Sequence, residues 1–281
     1  MSAAPSDPSA RGYVRNLGSL TWHGLAQLAR APTHSRREQA RQRLARGWLV
    51  LAACCALAIV ILMTTFDVRA ISLMPPRGTV SLWPLRAFTD LAKAAYVLRA
   101  LGIALLAILL VAAALHGTRR ALALGVGLRV EFLLLCVLLP ILIGEVVKGV
   151  VGRGRPFVGG AANAFNYSHF AWTEAYASFP SGHAIVAFAL AIAVPAVWPR
   201  LRIAMWIYAV LIAISRVVLL AHHPSDVVAG ALVGIVGAML VRYWFAARHL
   251  IFVIGSDGAI RPRAGPSFRR LKGVAQRRAA P

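Results

Sequence analysis

The chain has 281 residues, of which 59% are hydrophobic and only 14% charged, and its mean hydropathy is +0.69. A soluble domain carries roughly a quarter charged residues, so this composition excludes that class and indicates a membrane protein. The net charge of +22 would suit nucleic acid, but most Lys and Arg lie near the two ends and in short loops between apolar runs, which argues for anionic lipid headgroups as the partner instead.

Residues 1–46 are polar and Arg-rich (Arg36, Arg37, Arg41, Arg43, Arg46) and read as a basic cytoplasmic tail, with Arg36 to Arg46 as a candidate helix on the membrane surface. The apolar run near 47–66 is long enough to span a bilayer and follows too long a leader for a cleavable signal. Its Leu51-Ala52-Ala53-Cys54 matches a lipoprotein processing box by chance, because the run continues well past it. A segment at 79–93, with Trp83, Pro84, Phe88, Asp90 and Lys93, reads as an interfacial loop or short helix. Five further spans are expected near 94–115, 122–150, 183–199, 202–221 and 225–246. The connection 157–182 holds Asn163, Asn166, His169, Trp172, Glu174 and Tyr176, too polar a set for lipid. Residues 247–281 form a second basic cytoplasmic tail. Cys54, Cys55 and Cys136 sit inside apolar runs and imply no disulfide framework.

The expected architecture is thus an all-α, six-helix membrane bundle over 47–246 between two basic tails. Lys and Arg orient it with both termini inside: Arg119, Arg120, Arg200, Arg202 and the run from Arg242 to Arg278 fall on the inner side. Three polar motifs then share the outer face, after the third span, before the fourth, and between the fifth and sixth. Polar clusters at the edge of a bilayer are functional by default.

The first motif is Lys148 to Arg155-Pro156. A seven-residue interval is two helical turns, which places both cations on one face, with Gly152, Gly154 and Pro156 loosening the last turn. An Arg fork and a Lys point charge suit phosphate oxygens, although basic residues at a span end also snorkel to headgroups. Arg153 takes that plainer headgroup reading, and Glu145 is the ion partner of Lys148. The second motif, Pro180-Ser181-Gly182-His183, opens a helix. Free N–H groups, the Ser181 hydroxyl and a glycine permitting close approach bind anions, and His183 can deliver a proton; an ordinary Ser cap is the plain alternative. The third motif runs from Ser215-Arg216 to His222 and Asp226. Arg216 faces the pocket, Pro224 starts the last helix, and Asp226 in its first turn either complements the helix dipole or orients His222 as a nucleophile. His223 is the competing imidazole, taken as structural or headgroup-facing.

These residues resemble the signature of the type-2 phosphatidic acid phosphatase superfamily, which also includes vanadium-dependent haloperoxidases: Lys-x6-Arg-Pro, Pro-Ser-Gly-His and Ser-Arg-x5-His-x3-Asp, matched in type and spacing across about 50–246. The resemblance implies a six-helix membrane domain and metal-independent hydrolysis of phosphoesters through a phosphohistidine, with no cofactor. It implies attack by His222, orientation by Asp226, proton delivery by His183, and phosphate binding by Lys148, Arg155, Ser181, Gly182 and Arg216. The expected substrate is a lipid phosphate or diphosphate at the periplasmic face of a bacterial inner membrane, with phosphatidate, phosphatidylglycerol phosphate, undecaprenyl diphosphate and a lipid A phosphate all compatible. The alternatives are a vanadate-binding haloperoxidase and an anion or lipid transporter without hydrolysis. Selectivity is expected from His169, Trp172 and Glu174.

Overall fold

A computed structural model of the chain describes residues 10–263 and is helical nearly throughout. Helix α1 (Ala10–Ala29) precedes α2 (Arg37–Ile61), which passes through a π-turn at Leu62–Phe66 into α3 (Asp67–Ser72). The short α4 (Trp83–Thr89), flanked by 3₁₀ turns, answers to the interfacial segment expected at 79–93. Then follow α5 (Ala94–Ala114), α6 (Gly117–Val151), α7 (Gly182–Val197), α8 (Arg202–Val218) and α9 (Pro224–Ala247).

The run Arg37–Ser72 and helices α5, α6, α8 and α9 are long and apolar enough to cross a membrane. The sixth apolar helix, α7, is shorter at 16 residues and starts where the sequence placed the fourth span. Arg37 to Arg46 are not a separate surface helix, because α2 runs from Arg37 straight into the apolar stretch. Good helix formers fill this segment and no Gly or Pro interrupts it before Gly47, so nothing breaks the backbone at the polar-to-apolar boundary.

Helix α7 is the centre of the bundle and packs on α9, α6 and α8. It is alanine-rich, and Ala184, Ala187, Ala189, Ala191 and Ala193 are buried. The facing side of α9 carries Gly230 and Gly234. A Cβ at Gly230 would lie 2.5 Å from the Ser181 carbonyl oxygen, and one at Gly234 would lie 2.4 Å from that of Ile185. Small residues on both helices let the backbones approach, which is how apolar helices gain packing energy when lipid is as apolar as they are. This close approach sets the start of α7 beside the start of α9.

At the opposite end, residues 248–263 after α9 fold against the bundle. Strands β1 (Phe252–Ile254) and β2 (Ile260–Pro262) pair antiparallel, Val253 opposite Arg261. Phe252 is fully buried with its ring 4.9 Å from that of Phe132. The packed body thus extends past residue 246 as far as this hairpin, because Phe252 and Ile254 supply an alternating apolar face. The rest of the basic stretch, 264–281, lies outside the described residues.

Candidate active site

The three motifs meet at one end of the bundle, where α6 and α8 finish and α7 and α9 begin. Helix α6 stops at Val151 because Gly152 turns left-handed, with φ of 56°, and donates its N–H to the Lys148 carbonyl at 2.9 Å. A Cβ at Gly152 would lie 1.8 Å from the Ser168 carbonyl oxygen, so only glycine fits. Lys148 and Arg155 therefore do not share a face of one continuing helix, as the seven-residue interval suggested. The glycine turn brings them together instead, and both line a cavity of about 310 Å³ with Trp172, Glu174 and Tyr176. Glu145 pairs with Lys148 at 2.5 Å, as expected, and Glu174 lies 3.6 Å from Arg155.

The polar connection 157–182 folds back along this turn. The N–H of Gly154 donates to the Asn166 carbonyl at 2.8 Å, that of Ser168 to Gly152 at 2.7 Å, and that of Arg155 to Ala175 at 2.8 Å. Of the loop residues expected to select substrate, Trp172 lies across Gly149 and Glu174 faces Arg155. His169 stacks on Tyr167 with ring centroids 5.9 Å apart.

Ser181 is the N-cap of α7, yet its hydroxyl makes no capping bond; it is buried without a hydrogen-bond partner among the described residues. The plain Ser-cap reading therefore fails. Its backbone N–H donates to the Asp226 carbonyl at 3.0 Å, tying the second motif to the third. A Cβ at Gly182 would lie 3.1 Å from Lys148 Nζ, which shows how closely that ammonium leans over the helix start. His183, one residue on, stands in the combined field of Arg216, Lys148, Arg155 and Lys93.

Arg216 occupies the last turn of α8, and its carbonyl accepts from the N–H groups of Ala221 and His222 at 3.1 and 3.3 Å, curling the chain back on itself. Helix α9 then opens at Pro224, as expected, with His223 as N-cap and Asp226 closing a capping box. His222 Nδ1 lies 2.8 Å from the Ser178 carbonyl oxygen but 3.9 Å from Asp226 Oδ2. A carbonyl only accepts, so Nδ1 carries the proton and Nε2 keeps its lone pair. The ring is thus oriented directly by Ser178, whose hydroxyl donates to Asp226 Oδ2 at 2.6 Å. Asp226 acts one bond further back than the sequence suggested. Burial depresses the pKa of His222 well below 6.5, helped by Arg216 and Arg155 and opposed by Asp226. His223 is fully buried with Nδ1 3.2 Å from Asp226 Oδ2, a structural placement that does not face headgroups.

Sequence reasoning missed the residues beneath this surface. Arg153 does not snorkel to headgroups. It is 1% exposed and pairs with Asp226 at 2.5 Å and Asp67 at 2.8 Å, and also donates to Ser225 Oγ and the Ala164 carbonyl. Asp67 comes from the far end of the first span and accepts from both the N–H and the hydroxyl of Ser225. A lone carboxylate closing a long apolar run was the available signal, because a buried charge needs a partner. Arg77 and Arg86, before α5, also reach the site and line a second cavity with Arg155 and Arg216.

Where the three motifs meet, donors outnumber their acceptors. Arg155 Nε, Arg216 Nε and Ser181 Oγ are buried without partners among the described residues. Buried donors are normally satisfied, so this arrangement is complementary to a tetrahedral oxyanion.

Residues 130–250 match the family model of the PAP2 superfamily. The chain is 34% identical over 117 residues to a lipid A 1-phosphatase of Rhizobium johnstonii, covering 42% of this chain and 48% of that protein. It is 33% identical over 117 residues to the lipid A 1-phosphatase of Rhizobium etli, covering 42% and 50%. A protein of Escherichia coli K12 with the provisional name undecaprenyl-diphosphatase YbjG is 38% identical over 101 residues, 35% of this chain and 48% of its own. The matches span about half the length of these relatives, and no solved structure matches. The stretch that carries the three motifs is thus similar to the PAP2 superfamily, that of the type-2 phosphatidic acid phosphatases.

Proposed function

We propose that the protein is a membrane-embedded phosphatase that hydrolyses lipid phosphates or diphosphates through a phosphohistidine at the periplasmic face. The observation that carries this reading is the single cradle of Lys148, Arg155, Arg216 and Ser181 beside a neutral, oriented His222. The phosphatase names of the relatives support the reaction class.

Lys148, Arg155 and Arg216 hold the non-bridging phosphoryl oxygens and neutralise their charge, with Ser181 Oγ and the Gly182 N–H at the helix start. His222 Nε2 attacks phosphorus as the bond to the leaving oxygen breaks, and His183 gives that oxygen its proton. Nδ1–H of His222 stays bonded to the Ser178 carbonyl, which stabilises the ring as it gains positive character. Water then attacks the phosphohistidine, His183 takes back a proton, and inorganic phosphate leaves. Three cations do the work that a divalent ion does in many phosphatases. The lipid tail stays in the bilayer, since the site sits at the helix ends.

The test is release of inorganic phosphate from a panel of lipid phosphates by detergent-purified protein with EDTA present. Turnover that persists in the chelator supports the reading. Strict dependence on an added divalent ion contradicts it.

A further inference from the structure

Two cations of the three motifs, Arg155 and Arg216, line a cavity of about 250 Å³ whose wall carries two further guanidinium groups, Arg77 and Arg86, from the segment between α3 and α5. The volume is about eight times a water's share of roughly 30 Å³ in the liquid, so it holds more than one phosphoryl-sized group. Arg77 and Arg86 lie outside the stretch that matches the family. They belong to a built edge. Arg86 donates to the Thr79 carbonyl at 2.9 Å, and Thr79 Oγ1 donates to that of Pro76 at 2.7 Å, closing the Pro76–Thr79 turn that presents Arg77.

Charge makes this edge unusual. Among the described residues no carboxylate pairs with Arg77, Arg86 or Arg216, and Arg155 has only Glu174 at 3.6 Å. The field of Arg77 reaches both Arg155 and Arg216, against which Asp90 acts on Arg216, and Glu174 and Asp226 act on Arg155. One tetrahedral phosphate is already served by Lys148, Arg155, Arg216 and Ser181. Two further guanidiniums on the same continuous wall are matched to more negative charge than a single phosphoryl group brings. The adjoining cavity, about 490 Å³ and sharing Pro76 and Arg77, is lined mainly by Met74, Pro156, Phe157, Val158 and Leu220. Apolar substance thus sits next to the Arg77 edge.

We infer that Arg77 and Arg86 form an accessory anion subsite that holds the second phosphoryl group of a lipid diphosphate while the terminal phosphoryl group reacts at His222. This rests on the phosphatase reading and narrows it. The terminal P–O–P bond breaks, His222 takes the outer phosphoryl group, and the inner phosphate leaves still attached to the lipid, its charge held by Arg77 as the bridging oxygen accepts the proton. Stabilising that leaving group favours diphosphates over monophosphates.

The test compares kcat/KM for a prenyl diphosphate and the matching prenyl monophosphate in mixed micelles, for the unaltered protein, Arg77→Gln and Arg86→Gln. The diphosphate is the preferred substrate, and Arg77→Gln lowers the diphosphate-to-monophosphate ratio about tenfold or more, the scale of a lost charge-assisted contact. An unchanged ratio, including equal losses on both substrates as a general headgroup contact would give, overturns the subsite. Binding of inorganic pyrophosphate and orthophosphate to His222→Ala protein separates this claim from catalysis. A margin for pyrophosphate that Arg77→Gln removes sustains the subsite even if no lipid is hydrolysed, in which case only the phosphatase reading fails. Absence of that margin, with the prenyl diphosphate still preferred and the preference still lost in Arg77→Gln, shows that the subsite takes its second phosphate only from a lipid.

Discussion

His222 is poised by its surroundings. Buried and flanked by Arg216 and Arg155, it resists a second proton, so its pKa lies well below 6.5. In the proposed mechanism the neutral imidazole is the nucleophile, so on the acid side activity falls as pH drops through that depressed value. The acid limb of kcat/KM is therefore expected below pH 6.5, and a limb at or above 6.5 would show an ordinary exposed histidine. Removing a depressing neighbour moves the limb the other way: in the residual activity of Arg216→Gln it shifts upward, whereas Asp226→Asn, which removes the one opposing charge, shifts it down. At this scale the sequence was informative about identity but not about bonding. Residue types and intervals picked out His222, Asp226 and Arg216, whereas the carbonyl that holds the His222 ring belongs to Ser178, 44 residues away, whose backbone leaves no mark in a side-chain pattern.

At the scale of elements, the site depends on how the first span meets the last. Asp67 and Arg153 form a buried pair that also fixes Asp226 and Ser225, so α3, the turn after α6 and the start of α9 share one polar network. Removing Asp67 leaves Arg153 with Asp226 as its carboxylate partner but strips the buried Ser225 N–H of its acceptor, a loss of about 1–3 kcal/mol. Asp67→Ala is expected to lower the thermal midpoint in detergent and to lower kcat with KM little changed, because the phosphate ligands stay while Arg153 and Ser225, the neighbours of Asp226, lose a buried partner. A matching rise in KM would place Asp67 in the phosphate site instead. Helix existence was legible from apolar runs, and α5, α8 and α9 begin within a residue of where those runs begin. The end of α6 was not, since a helix-period interval between Lys148 and Arg155 looks identical whether the helix continues or a left-handed Gly152 cuts it. Arg153 was misread for the same reason: at the edge of an apolar run, only tertiary packing distinguishes a snorkelling cation from a buried one.

For the whole molecule, the proposed direction of the site rests on charge. Arg119, Arg120, Arg200 and Arg202 lie at the bundle end opposite the three motifs, together with residues 248–263 after α9. On the proposed reading, positive-inside orientation puts the cradle on the periplasmic side. A reporter fused after Pro281 should be active only as a cytoplasmic reporter, and one inserted at Gly160 only as a periplasmic one; the reverse pattern would invert the topology. Fold class, span order and the shared face of the motifs were readable because lipid forces backbone polarity into helices and charge into loops. The hairpin Phe252–Pro262 was not, because two short strands in a basic stretch carry almost no periodic signal.

The most direct measurement is to quench the protein during turnover of a lipid substrate labelled in its terminal phosphate and to map the trapped label. The account predicts an acid-labile, alkali-stable phosphohistidine at His222 that vanishes in His222→Ala and persists in His223→Ala. Label on His223, or turnover that survives His222→Ala, would contradict it.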